Sequence, residues 1–151
     1  MKHNLDKTDI AILNLLQKNA RTPIKAIAEK VFISPPTVAA RIDAMEKAGI
    51  ILGYHAKVSD TVLGNPIRAF INLEITPDRK SELYAFLKNA HEVMECSHVT
   101  GEYSFLIQAV FESTDFLDKF ITKLQVFGRT KTQIVFSSVV EHRGFQIPTI
   151  L

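Results

Sequence analysis

The chain has 151 residues, 46% of them hydrophobic and 23% charged, with 18 Lys and Arg against 16 Asp and Glu. That composition describes a globular chain and excludes a disordered or membrane-embedded one, since no run of about 18 apolar residues is present to cross a bilayer. A single cysteine, Cys96, excludes an intrachain disulfide and fits a reducing compartment. The start Met1-Lys2-His3-Asn4-Leu5-Asp6 lacks the apolar core of a signal peptide, so a cytoplasmic location is expected. Charge is unevenly spread. Residues 1–60 hold nine Lys and Arg against six acids, and residues 61–151 hold nine against ten, so the first segment is the better partner for a polyanion.

Asp6-Lys7-Thr8-Asp9 has the form of a capping box, an N-cap acid with a second acid three residues on. Ile10, Ile12, Leu13 and Leu16 then predict a helix ending near Asn19. Thr22-Pro23 reads as a cap followed by proline at the first helical position, and Ile24, Ile27, Ala28 and Val31 form the buried stripe of a second helix. Phe32-Ile33 is a very short connection. Ser34 is placed to N-cap a third helix, whose first turn accepts Pro35 and Pro36 because its amides have no intrahelical partner. Val38, Ile42 and Met45 share its buried face, Ala40, Ala44 and Lys47 look outward, and Thr37 and Arg41 lie on the flank near its start. Gly49 is a natural stop. Ile50 to Val58 is β-rich with Gly53 in its middle and reads as a wing hairpin.

Two helices joined by so tight a turn predict a helix-turn-helix with the second as reader of double-stranded DNA, completed by the wing. The candidate contacts are Arg21 and Lys25 for phosphates, with Ser34, Pro36, Thr37, Ala40 and Arg41 at the reading helix. Ser34 is first of all a helix cap. Arg41 fits two roles, a DNA contact or a partner for an acid of its own domain. A three-helix bundle that docks a protein is the competing reading of the same helices. Asp60 to Pro66 combines Gly, Asn and Pro without helical period, which separates a domain at 1–59 from a second at 67–151 by a linker at 60–66.

From Ile67 the pattern has period two, with Ile67, Ala69, Ile71, Leu73 and Ile75 on one side of a strand. Pro77-Asp78 opens a helix carrying Leu83, Phe86, Leu87 and Ala90. Strands follow at Val93–Thr100 and Tyr103–Glu112, the latter with Phe105, Ile107, Ala109 and Phe111 on one face. Ser113-Thr114-Asp115 caps a helix with Phe116, Leu117, Phe120, Ile121 and Leu124, and Thr132–His142 reads as the last strand. The order β-α-β-β-α-β is the ferredoxin-like split unit, which makes the whole chain α+β. Ile134, Phe136 and Val140 opposing Val135 and Val139 predict a sheet apolar on both faces, hence sheet-to-sheet self-association, unless the apolar tail Phe145–Leu151 covers the open face.

Cys96-Ser97-His98 supplies only two ligands in one direction, and His55, His91 and His142 are scattered, so neither a metal site nor catalysis is expected and Cys96 reads as a buried strand cysteine. The sequence contains no phosphate-cradling glycine loop, nucleophile elbow or paired-acid motif, and no cofactor is expected.

A winged helix followed by β-α-β-β-α-β resembles the Lrp/AsnC family of bacterial and archaeal regulators over nearly the whole chain. The marks are Leu5-Asp6-Lys7-Thr8-Asp9, the run Ser34 to Ile51, and Val99-Thr100-Gly101-Glu102-Tyr103-Ser104. The resemblance implies a non-enzymatic transcription regulator that dimerises, often builds octamers wrapped by DNA, and carries an ACT-like (RAM) domain binding an amino-acid effector between dimers. It places the effector loop at Val99, Thr100, Gly101, Glu102, Tyr103 and Ser104, with Gln133 and Ile134 of the last strand lining the same site. Gly101 would let backbone approach the ligand, or is simply a hairpin turn residue; Tyr103 is a ligand wall or a packing residue. Family members often have an aspartate where Ser104 stands, leaving Glu102 as the substitute acid. That departure also fits a different ligand preference, or an architectural, nucleoid-type DNA-wrapping protein without effector; a third reading is an amino-acid-sensing subunit that controls an enzyme through its sheet, with the N-terminal helices as a docking module.

Overall fold

The computed structural model describes residues 5–145, 147 and 148. They fall into two compact units, one within 1–57 and 140–151 and the other 58–139.

The first unit holds three helices, α1 (Lys7–Lys18), α2 (Ile24–Val31) and α3 (Pro35–Lys47). Ile12, Leu13, Ile27, Ala28, Val38 and Met45 form its core, with Ile42 and Val31 partly buried against it. The box at the start of α1 is formed in both directions: Asp9 N–H donates to Asp6 Oδ1 at 2.8 Å and Asp6 N–H to Asp9 Oδ2 at 3.1 Å. The amide of Asp9, followed by the Arg41 guanidinium, holds the Asp6 carboxyl below its ordinary value of 3.8. At α2 the expectation shifts by one residue. Pro23 is the N-cap, in extended conformation, and the Thr22 hydroxyl donates back to the Asn19 carbonyl at 2.7 Å, closing the preceding turn and leaving the helix uncapped by it.

Phe32 ends α2 in the left-handed conformation at φ 57°, where glycine is the usual residue, and its ring is exposed. Ser34 caps α3 through the Thr37 amide. At the other end Gly49, at φ 69°, sends its N–H to Glu46 O while Ile50 N–H returns to Met45 O at 2.9 Å, a Schellman closure with Ile50 packed on the core. This closure explains a correction. Among the described residues, 50–58 form no strand, so the expected wing hairpin is not formed. The amides of Ile50 and Ile51 both cap α3 at Met45 O, and the Tyr54 hydroxyl donates to Glu46 at 2.7 Å, which ties the segment to the helix end. Burial, then the Glu46 carboxylate, pushes the Tyr54 phenol up to about 12.

The C-terminal segment completes this unit. Lys57 pairs with Glu141 at 3.0 Å. Asn14 exchanges two hydrogen bonds with the Ile147 backbone, at 3.1 and 3.2 Å, and Ile147 packs against the helical core. Phe145 is exposed; the rest of the expected tail, Gln146 and 149–151, lies outside the described residues.

The second unit runs β1 (Ile67–Ile75), a 3-10 turn (Pro77–Arg79), α4 (Lys80–Asn89), β2 (Val93–His98), β3 (Phe105–Phe111), α5 (Thr114–Gln125) and β4 (Gly128–Ile134). The sheet order is β2-β3-β1-β4 and every pairing is antiparallel. Alternation decides the faces: Ala69, Ile71 and Leu73 meet Ile107, Ala109 and Phe105 in the core, together with Leu83 and Leu87 of α4 and Leu117, Phe120 and Leu124 of α5. Phe116, expected in that stripe, is exposed.

The last strand differs most from expectation. It begins four residues earlier than Thr132, pairing Gly128 with Ile75 and Arg129 with Glu74, and it ends at Ile134. One further bond, Val135 N–H to Arg68 O, precedes the end of β1 at Ile67, and Pro66 beyond it has no amide to continue a ladder. Phe136 and Val139 therefore stand off the sheet and are exposed. The open face is mixed, with Phe70, Leu106 and Val110 among Arg68, Asn72, Gln108, Lys131 and Gln133, rather than uniformly apolar. Cys96 is also a correction: it lies on edge strand β2 and is exposed.

Gly128 has no room for a side chain, because a Cβ there would sit 1.8 Å from the Glu74 carbonyl oxygen. Gly128→Ala should destabilise the second unit by roughly 1–3 kcal/mol in urea unfolding monitored by circular dichroism. A second expectation concerns acid. Because the folded Asp6 carboxyl is depressed, its stabilisation is present above its unfolded value of 3.8 and is lost as pH falls through the lower folded value. Asp6→Asn keeps a competent cap but removes the titration, so stability profiles of variant and parent should converge as pH drops from roughly 5 towards 3.

Candidate nucleic-acid interface and ligand loop

In the first unit, Pro36, Thr37, Ala40, Ala44 and Lys47 are all exposed along one side of α3. Their spacing of three to four residues makes one continuous face opposite the buried Val38 and Met45. The face is narrow because two of its members are alanines, and it carries a hydroxyl near its N-terminal end, the exposed Asp43 carboxylate along its edge and an ammonium at its C-terminal end. Lys47 belongs to this face as much as the residues singled out from the sequence do. The Ser34 and Thr37 hydroxyls are 2.7 Å apart, so the helix start offers a linked hydroxyl pair as well as a cap. Arg21 and Lys25 are exposed beside the start of α2. Small side chains allow close approach to base edges, and flanking cations reach phosphates.

Arg41, one helical turn after Thr37, is engaged by acids of its own unit. Its Nη1 lies 2.7 Å from Asp6 Oδ2 and 2.7 Å from Asp9 Oδ1, both at the start of α1. Bonds to Asp9 and then to Asp6 raise the guanidinium above its ordinary value, so it stays charged. The ion pair within its own unit, one of the two roles open in the sequence, is therefore formed.

In the second unit, the residues 99–104 connect β2 to β3. Val99 N–H donates to Ser104 O at 2.8 Å, and Gly101 takes φ 120°, a value that side chains rarely adopt. Arg129 of β4 organises this end of the sheet. Its guanidinium bonds Glu74 at 3.0 Å and Glu102 at 2.7 Å and lies 5.2 Å from the centre of the Tyr103 ring. Glu102, the acid expected to substitute for one at 104, thus already has a cationic partner. Gln133 and Ile134 are not brought to the loop. They lie four and five residues farther along β4 than Arg129, about 13–17 Å at strand rise, and on opposite faces of it: Gln133 accepts from Asn72 Nδ2 at 3.3 Å on the open side, while Ile134 faces the helix side. Arg129 escaped sequence reasoning because its importance lies in a cross-strand register with Glu74, which no local spacing reveals.

Among the described residues there is no group of three or more His, Cys, Asp and Glu placed to hold a metal ion, and no helix long and apolar enough to cross a membrane.

Comparison with known proteins agrees with both units. Residues 5–51 match the family model for winged helix-turn-helix DNA-binding, and residues 68–145 match the Lrp/AsnC ligand binding domain. The chain is 33% identical to the uncharacterized HTH-type transcriptional regulator YezC of Bacillus subtilis, over 93% of this chain and 100% of that one. Among solved structures it resembles the transcriptional regulator NMB0573 of Neisseria meningitidis in complex with L-Met, with a TM-score of 0.88, 29% identity, and coverage of 96% and 97% of the two chains. It also resembles AsnC of E. coli, with a TM-score of 0.83, 32% identity, and coverage of 93% and 97%. A helix-turn-helix unit with an exposed face of small residues on α3, a ferredoxin-like unit with a glycine-bearing loop, and relatives named as regulators rather than enzymes lead to one conclusion: the chain belongs to the Lrp/AsnC family of DNA-binding transcriptional regulators.

Proposed function

We propose that the protein reads double-stranded DNA sequence-specifically through the exposed face of α3 and that an amino acid held by the loop 99–104 between dimers modulates it. The observation that carries the first part is the α3 face itself, with Thr37 and Ala40 free to approach base edges, Lys47 at its end, and Ser34, Pro36, Arg21 and Lys25 around its start. One such face is small and the unit's positive excess is modest, which favours multiplied contacts in a homodimer and in the octamer built from it. The location that fits is the cytoplasm, on the nucleoid. For the second part the support is the matched ligand domain, the Gly101 backbone, and the L-Met bound by the Neisseria relative.

The architectural reading, DNA wrapping without an effector, draws on one specific observation. Ser104 is neutral and Glu102 is paired with Arg129, so no free acid in the loop awaits an α-ammonium group. The two readings part on specificity: a regulator shows a large ratio of specific to non-specific affinity, a wrapper a small one with a steep salt slope.

Placing a carboxylate in the middle of the reading face tests the first part. Ala40→Glu should weaken binding to a cognate duplex by at least about tenfold in gel shift while light scattering returns the parent mass. Undiminished affinity would remove α3 from the interface. A thermal-shift screen of the twenty amino acids, beginning with L-Met, tests the second. At about a hundredfold excess over Kd an effector adds about 2.7 kcal/mol to the folded state, so a hit raises Tm, and an inter-dimer site also changes the scattering mass. A flat screen at millimolar concentrations would transfer the case to the architectural reading.

A further inference from the structure

The Asp6–Asp9 box is unusual in being built from two acids, and its four carboxylate oxygens divide cleanly. Asp6 Oδ1 accepts the Asp9 amide and Asp9 Oδ2 accepts the Asp6 amide, at 2.8 and 3.1 Å. The remaining two oxygens, Asp6 Oδ2 and Asp9 Oδ1, both accept from Arg41 Nη1 at 2.7 Å. One guanidinium on α3 therefore closes the start of α1, and every oxygen of both carboxylates is occupied. The Asp9 side chain is 15% exposed and that of Arg41 32%, so this pair is shielded from solvent on the Asp9 side. A shielded, doubly bonded pair fixes geometry better than an exposed one.

Charge leads to the same place. Removing Arg41 to a phosphate would leave two carboxylates uncompensated in the unit that must approach a polyanion. Keeping it where it stands cancels part of that charge and ties α3 to α1 across a separation of more than thirty residues. We infer that Arg41 is a positioning residue: held by Asp6 and Asp9, it sets the placement of the reading helix on α1 and screens the acidic box from DNA, and it makes no phosphate or base contact itself. This inference rests on α3 being the reading helix.

A phosphate contact and a positioning contact leave different traces in salt. Each phosphate neutralised contributes about −0.9 to the slope of log K against log salt, so losing a contacting cation flattens the slope by about that amount per reading helix. Duplex affinity would be measured across a salt series for the full-length parent, Arg41→Ala, Arg41→Lys, the double variant Asp6→Asn with Asp9→Asn, and the triple combination, with Lys25→Ala as the phosphate-type control. Melting curves would check that each variant is folded at the assay temperature, and Arg41→Lys, which keeps a charge able to pair with one acid, supplies a second reading should Arg41→Ala not fold. The expected result is that Arg41→Ala loses roughly two- to thirtyfold in affinity with the parent's slope, that Arg41→Lys recovers part of the loss, and that Arg41→Ala costs little once Asp6 and Asp9 are already Asn. A flattened slope, a full loss in the double-Asn background, or no loss of affinity in Arg41→Ala would each overturn it. Ala40→Glu reports separately on the reading helix: if it binds as the parent does, the assignment of α3 fails, whereas a loss there with a flattened Arg41→Ala slope refutes only the positioning role.

Discussion

The length of β1 governs the second unit. It is an inner strand, flanked by β3 and β4, and both of those are registered against it. At one end, close passage of Gly128 under the Glu74 carbonyl lets β4 begin early and delivers Arg129 opposite Glu74. At the other, Pro66 cannot extend the ladder, so β4 leaves the sheet after Ile134 and the apolar residues Phe136 and Val139 never become strand residues. The position of the guanidinium beside the loop 99–104 and the departure of the C-terminal segment are thus two results of one strand's limits.

The first unit is governed by a different economy, that of helix ends. Short helices leave many unpaired amides and carbonyls relative to their length. Here they are satisfied by a reciprocal acidic box at α1, by Ser34 at α3, and by a Schellman closure whose donors come from the segment that would otherwise form a wing. An acidic box is a demanding choice in a unit that meets DNA. The cation that stands close by comes from the flank of α3, where Arg41 lies. Capping chemistry at one helix and the orientation of another are in this way one problem with one solution.

Much of this was legible in the sequence, for identifiable reasons. Period-two alternation from Ile67 to Ile75 and from Phe105 to Phe111, and helical spacing at Val38, Ile42 and Met45, are strong local signals that mapped onto buried faces. Ser34 and Gly49 are residues whose local chemistry dictates their conformation. Three features were not legible. The run 132–142 is β-rich, yet pairing depends on a partner strand whose end lies some seventy residues earlier. The run 50–58 is β-rich too, yet its first amides were already committed to α3. For the site residues, position on a face was readable and partnership was not: Arg41 could be placed on the flank of α3, but the acids that hold it, and the arginine that holds Glu102, come from other elements brought near by tertiary structure.

The clasp between Asn14 and Ile147 joins residues 133 positions apart inside the helical unit. During synthesis the three helices emerge first and have the local signals to form early. Their core, however, receives Ile147 only after the entire second unit has been made. The helical unit therefore begins at the first residues made and is completed by some of the last, so its core is whole only once nearly the entire chain has been synthesised.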